Sequence, residues 1–171
     1  MNMIYDFGSM ENVLLTLPPP VVVIGNGRIT DAGYAINKYS SVIRINNFIT
    51  RGHEKDVGNS TTVWCVNCWH DVLYRNLGIT MITPFHPNDA PRVLSWHRDL
   101  CIPQIHWSDK IRGLKPRKPS TGLILLYAMK ELGVEYDTYG FDGFQTGHYW
   151  DPGHEHDHPE EMEAFSNGGL V

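Results

Sequence analysis

No stretch of this 171-residue chain approaches the roughly eighteen consecutive apolar residues of a membrane-crossing helix. The first residues, Met1-Asn2-Met3-Ile4-Tyr5-Asp6, lack the basic-then-apolar order of a secretory signal. A soluble, cytosolic protein is therefore expected. Cysteine is scarce: Cys65, Cys68 and Cys101 make no disulfide framework, which fits a reducing compartment. Cys65-x-x-Cys68 with His70 is half of a zinc pattern with no second ligand pair, so buried cysteines without metal are expected. Positive charge is also short. The net charge of −5 excludes a general nucleic-acid coat, and no Lys or Arg follows Lys130. No internal repeat is present.

What remains reads as one α/β domain over 1–171, with a lead-in at 1–20 and a His/Glu-rich tail at 151–171. Val21-Val22-Val23-Ile24 is a β-branched run bounded by Gly25-Asn26-Gly27, a buried strand ending in a tight turn. A short helix over Asp31–Tyr39 and a strand over Ser41–Asn46 follow, the signal of a parallel α/β unit. No third glycine completes a dinucleotide fingerprint, so the turn is either a plain turn or a backbone surface for a nucleotide. Asn46 falls at a strand's carboxyl end, where ligands bind in open α/β sheets.

Residues 51–60 read as loop, Thr61–Asn67 as a third strand and Leu77–Thr83 as a fourth. Asp89 and Pro91 open a helix expected to reach about Leu100, and Ile102–Trp107 reads as a strand. Trp64, Trp69, Trp96 and Trp107 suit core packing or stacking on sugar rings. The basic cluster Lys110, Arg112, Lys115, Arg117 and Lys118 is a solvated loop or a steering patch for an anion. It precedes Pro119-Ser120-Thr121-Gly122, where Ser120 or Thr121 caps an apolar helix from Gly122 to Leu132 that ends at Gly133. That helix start is an ordinary cap or a phosphate cradle. A strand over Glu135–Tyr139 then runs into Gly140-Phe141. His148-Tyr149-Trp150-Asp151 and the alternating His154, His156 and His158 complete the polar inventory.

Together these motifs resemble the sialyltransferase family, glycosyltransferase family 29. The large motif is similar to Val22–Asn26, Arg44-Ile45-Asn46, Gly52–Gly58 and Thr61-Thr62. The small motif is similar to Pro119–Gly122 through Tyr139-Gly140-Phe141, the third to His148–Asp151, and the very small motif to His156 through Glu161. The chain departs from secretory members at Val21 and Gly133, which stand where those members carry a disulfide, and at Asp142, where a glycine is usual.

The resemblance implies a Rossmann-like, mostly parallel sheet flanked by helices, a variant of the GT-A type. It implies an inverting transfer of an acidic sugar, sialic acid or Kdo, from a CMP-sugar to a glycan hydroxyl. No metal or other cofactor takes part. His156 would act as general base and His148 as partner of the leaving phosphate. Asn26, Asn46, Ser120, Thr121, Gly122, Gly140 and Phe141 would bind the donor, with Tyr149, Asp157 and Glu161 in support. The alternatives are a nucleotide-binding relative without turnover and a metal-dependent hydrolase using the histidine tail.

Overall fold

The computed structural model describes residues 9–67, 79–86, 100–112, 119–143, 145–151, 159–167 and 169–171. Six short strands form one parallel sheet: β1 Val21–Ile24, β2 Ser41–Ile45, β3 Val63–Cys65, β4 Thr80–Ile82, β5 Leu100–Cys101 and β6 Asp137–Tyr139. Their order is β5-β4-β3-β2-β1-β6. The register pairs Val22 with Val42 on one side and with Asp137 on the other. β1 to β3 carry apolar residues on both faces because both are covered, as parallel sheets require.

Side-chain alternation divides the core between the two faces. Val21, Val23, Ile43, Ile45, Val63, Cys65, Ile82 and Cys101 pack against helices α1 (Met10–Leu15), α4 (Trp107–Arg112), α5 (Thr121–Glu131) and α6 (Pro159–Asn167). Val22, Ile24, Val42, Arg44 and Trp64 face the other side, toward the short helices α2 (Gly33–Ile36) and α3 (Glu54–Val57) and the segment around Tyr149. The layers are helix, sheet, helix. Helix α5 is central: Leu123, Ile124, Leu125, Leu126, Ala128 and Met129 are all buried, so its apolar residues run round most of its surface.

Several sequence expectations are corrected. The lead-in contains α1, capped by the Ser9 hydroxyl, which accepts from the Asn12 N–H at 3.2 Å. Its Met10 and Leu14, four residues apart, reach the core. The polar 51–60 stretch holds the single turn α3, whose buried Val57 is too little to show as periodicity. The strand expected at Ile102–Trp107 lies earlier, at Leu100–Cys101, and Trp107 instead opens α4. Leu100 is thus strand and not a helix end; the helix expected from Asp89 lies outside the described residues, as do Cys68, His70, Trp69 and Trp96. The end of the tail is a packed helix, with Glu161, Phe165 and the following Leu170 buried.

Candidate active site

At the carboxyl edge of the sheet, β1 stands between β2 and β6. The chain leaves β1 toward β2, and β6 lies on the opposite side. This is the topological switch point where open α/β sheets bind ligands. Beyond the strands the two chains stay in contact: the Gly25 N–H donates to Tyr139 O at 2.8 Å and the Gly27 N–H to Gly140 O at 2.9 Å. A Cβ on Gly25 would stand 2.4 Å from Gly140 O, so only glycine permits this approach. Gly140 itself has φ 72°, in the left-handed region.

Asn26 projects from this turn toward β2. Its Nδ2 donates to Ile45 O at 3.3 Å and to Asn47 O at 3.2 Å. Its Oδ1 is buried and accepts no hydrogen bond among the described residues. A shielded acceptor without a donor is costly, and a ligand hydroxyl or amine would satisfy it. Asn46, at the end of β2, is held by four contacts. Its N–H donates to Cys65 O at 2.8 Å, and its carbonyl accepts from Trp64 Nε1 at 2.7 Å. Its Oδ1 accepts from the Asn67 N–H at 2.9 Å, and its Nδ2 donates to Thr121 Oγ1 at 3.3 Å. Asn46 therefore joins β2, β3 and the start of α5.

That helix start is capped by Ser120, whose hydroxyl accepts from the Leu123 N–H at 3.2 Å. The Ser120 N–H donates to the buried carboxylate of Glu161, at the start of α6. Glu161 thus supplies from a remote segment the acid that a capping box would carry in its own first turn, and it places negative charge at the helix's positive end. The expected phosphate cradle is correspondingly narrower. The Ser120 amide is engaged, and the first-turn amides of Thr121 and Gly122 are the donors the helix cannot use internally. Phe141 closes over this turn. A Cβ on Gly122 would meet its ring at 2.9 Å, and the ring is edge-on to Phe165 at 5.8 Å.

The segment 148–151 fastens the loops on the far side. The Tyr149 N–H donates to Asn26 O at 2.9 Å. Its hydroxyl donates to Ile49 O at 2.6 Å and accepts from the Ile49 N–H at 3.1 Å, and its ring meets that of His53 edge-on at 5.3 Å. His148 stacks on Trp150 with ring centres 4.5 Å apart. Asp142 bonds the Thr146 hydroxyl and backbone N–H, and Thr146 Oγ1 accepts from the Arg28 N–H at 3.0 Å. Asn26, Asn46, Thr121, Gly122, Gly140, Phe141, Tyr149 and Glu161 thus belong to one connected edge of the sheet. His156 and Asp157 lie outside the described residues, as do His154 and His158. Among the described residues no group of three metal-binding side chains converges.

Two residues that sequence reasoning left out of the site support it from below. Trp64, considered for sugar stacking, is fully buried under Asn46, as Trp107 is buried against Glu11. Arg44 is fully buried without a described carboxylate partner. Its Nε donates to Ser60 O and Thr61 Oγ1, both at 3.1 Å, and its Nη2 to Val57 O at 2.6 Å. Burial pulls its pKa down to about 10, still leaving it charged at neutral pH. An arginine inside the run Ser41-Val42-Ile43-Arg44-Ile45 was the available signal, since charged residues are rarely placed in buried strands without a task. A hollow of about 770 Å³ also lies beside β6, lined in part by Tyr39, Lys130, Tyr136 and Asp137, and it shares none of the candidate-site residues.

Comparison with known proteins places this edge in context. Residues 21–82 match the family model of glycosyltransferase family 29 (sialyltransferase). Over 45 residues the chain is 53% identical to human CMP-N-acetylneuraminate-beta-galactosamide-alpha-2,3-sialyltransferase 4, a segment that is 25% of this chain and 14% of that protein. The mouse counterpart is 51% identical over the same length. A crystal structure of a mammalian sialyltransferase in complex with Gal-beta-1-3GalNAc-ortho-nitrophenol superposes with a TM-score of 0.62 at 25% identity. That match covers 88% of this chain and 65% of that one.

Proposed function

We propose that the chain is a member of the sialyltransferase family, glycosyltransferase family 29, and that it transfers an acidic sugar, sialic acid or Kdo, from a CMP-sugar to a glycan hydroxyl; the match of residues 21–82 to that family's model supports the reading. The observation that carries the reading is Asn26 Oδ1, a buried acceptor with no donor among the described residues, on the turn that Gly25 and Gly140 allow to pass close against the end of β6. A nucleoside fits that chemistry: its hydroxyls and exocyclic amine are donors, and its phosphate suits the first-turn amides of α5.

Departure of CMP places negative charge on phosphate, and donors already in position stabilise it. In this reading the amides of Thr121 and Gly122 and the hydroxyls of Ser120 and Thr121 meet the phosphate, with His148 as a further donor. Asn46 orients Thr121 through its Nδ2. The attacking acceptor hydroxyl loses its proton to His156, whose imidazole serves as general base. The buried Glu161 carboxylate supports this arrangement, because it seats the last residue of the His156–Glu161 motif against the start of α5. No metal is required in this scheme.

The test is a donor screen following CMP release from CMP-sialic acid and CMP-Kdo with a glycan panel, with and without EDTA. Release that survives EDTA and is lost in His156→Ala is the expected result. Release unchanged in His156→Ala removes that residue as base, and release that requires added metal contradicts the metal-free scheme.

A further inference from the structure

Asn46 has φ 49°, a left-handed backbone uncommon for any residue but glycine, and one that asparagine adopts more readily than most. This conformation ends β2 and swings the Asn46 carbonyl out of the sheet ladder onto Trp64 Nε1 at 2.7 Å, while its N–H still reaches Cys65 O at 2.8 Å. Trp64 lies on β3 as the register partner of Arg44 and is wholly buried. Its ring stands edge-on to Phe48 at 6.3 Å, and the Arg44 guanidinium lies 5.6 Å from the Phe48 ring. The indole is a donor only, and its hydrogen falls on the carbonyl that the left-handed turn exposes. With the backbone so fixed, the Asn46 side chain spans from the Asn67 N–H to Thr121 Oγ1 at the head of α5. An extended backbone at Asn46 would send that side chain to the opposite face of the sheet.

We propose that Trp64 is a positioning residue for the donor site: its indole N–H holds Asn46 in the left-handed turn that aims the Asn46 amide at the start of α5. This rests on the reading of the β1–β2–β6 edge as the CMP-sugar site. Trp64 touches neither donor nor acceptor in this account and acts only through Asn46. Phenylalanine at 64 would keep the packing on Phe48 and lose the hold on the turn.

The experiment is calorimetric titration of CMP into wild type, Trp64→Phe, Asn46→Ala and the double variant, with Trp107→Phe as control. Trp107 is equally buried and also donates its indole N–H to a protein acceptor, Glu11, at 3.1 Å, but at the other end of the sheet. Trp64→Phe is expected to weaken CMP binding roughly tenfold, the scale of one buried hydrogen bond. The same change added to Asn46→Ala should cost less than about twofold, because the two act as one unit. Trp107→Phe should lower the melting temperature and leave CMP affinity alone. Wild-type affinity in Trp64→Phe with weakened binding in Asn46→Ala, or full additivity in the double variant, overturns the proposal and leaves the donor-site reading standing. Unchanged binding in Asn46→Ala overturns both. A measurement on wild type needs no folded variant: the Trp64 indole proton resonance should shift on CMP addition while that of Trp107 stays. An unmoved Trp64 resonance also contradicts the proposal.

Discussion

At the β4–β5 end of the sheet, the buried carboxylate of Glu11 accepts from the Gln104 N–H at 2.9 Å, the Ile105 N–H at 3.0 Å and Trp107 Nε1 at 3.1 Å. It fastens α1 to the loop after β5, and the Met10 N–H adds a bond to Ile102 O at 2.9 Å. At the β1–β6 end the polar groups are arranged otherwise. Among the described residues, Asn26 keeps a buried oxygen without a donor and Arg44 is buried with Nη1 unpaired, and Asn46 is turned left-handed. One end spends its polar groups on holding the chain together. The other stores strain and unused hydrogen-bonding capacity, which is where a ligand site is expected.

The largest expected break in this contrast is Gly25→Ala. Its new methyl would collide with the Gly140 backbone, which no side-chain movement relieves. A loss of about 4 kcal/mol of stability is expected, together with loss of CMP binding, measured by urea unfolding and calorimetry. Glu11→Ala should cost about 3 kcal/mol through its unpaired amides and leave CMP affinity unchanged, which separates fastening from binding. Asn26→Ala should do the reverse: about 1 kcal/mol in stability and a tenfold or greater fall in CMP affinity. Gly133→Ala has the smallest effect. Its φ of 71° favours glycine, but nothing lies within 4 Å of the added methyl, so about 1 kcal/mol is expected with full affinity.

Acid sharpens the same comparison. Burial raises the Glu11 pKa, but the bonds from Gln104, Ile105 and Trp107 outweigh burial and hold it below the ordinary 4.5. A depressed folded pKa contributes stability that is present above the unfolded value and lost as pH falls through the folded one. Urea midpoints measured from pH 6 downward should therefore fall more steeply below about 4.5 in wild type than in Glu11→Gln.

Much of the β1–β6 end was legible in the sequence. Four β-branched or apolar residues before Gly25-Asn26-Gly27 made a buried strand and a turn, and Ser120 before an apolar run made a capped helix, as found. Gly25-Asn26, Asn46, Ser120–Gly122 and Gly140-Phe141 fall on one edge because parallel strands bring their carboxyl ends together. What local pattern could not give was contact across long separations. Glu161 reaches Ser120 from 41 residues away, and Glu11 reaches Gln104 from 93. Trp64 looked like any core or stacking aromatic until the turn at Asn46 supplied its acceptor. Short elements were also hidden, since α3 shows one buried apolar side chain and β5 only two residues.

The most direct test of the donor site's location is hydrogen–deuterium exchange of the wild-type chain with and without CMP. Slowed exchange at residues 25–27, 46–49 and 140–142 is the predicted result. Protection confined to residues 83–86 and 102–106, at the fastened end of the sheet, would contradict it.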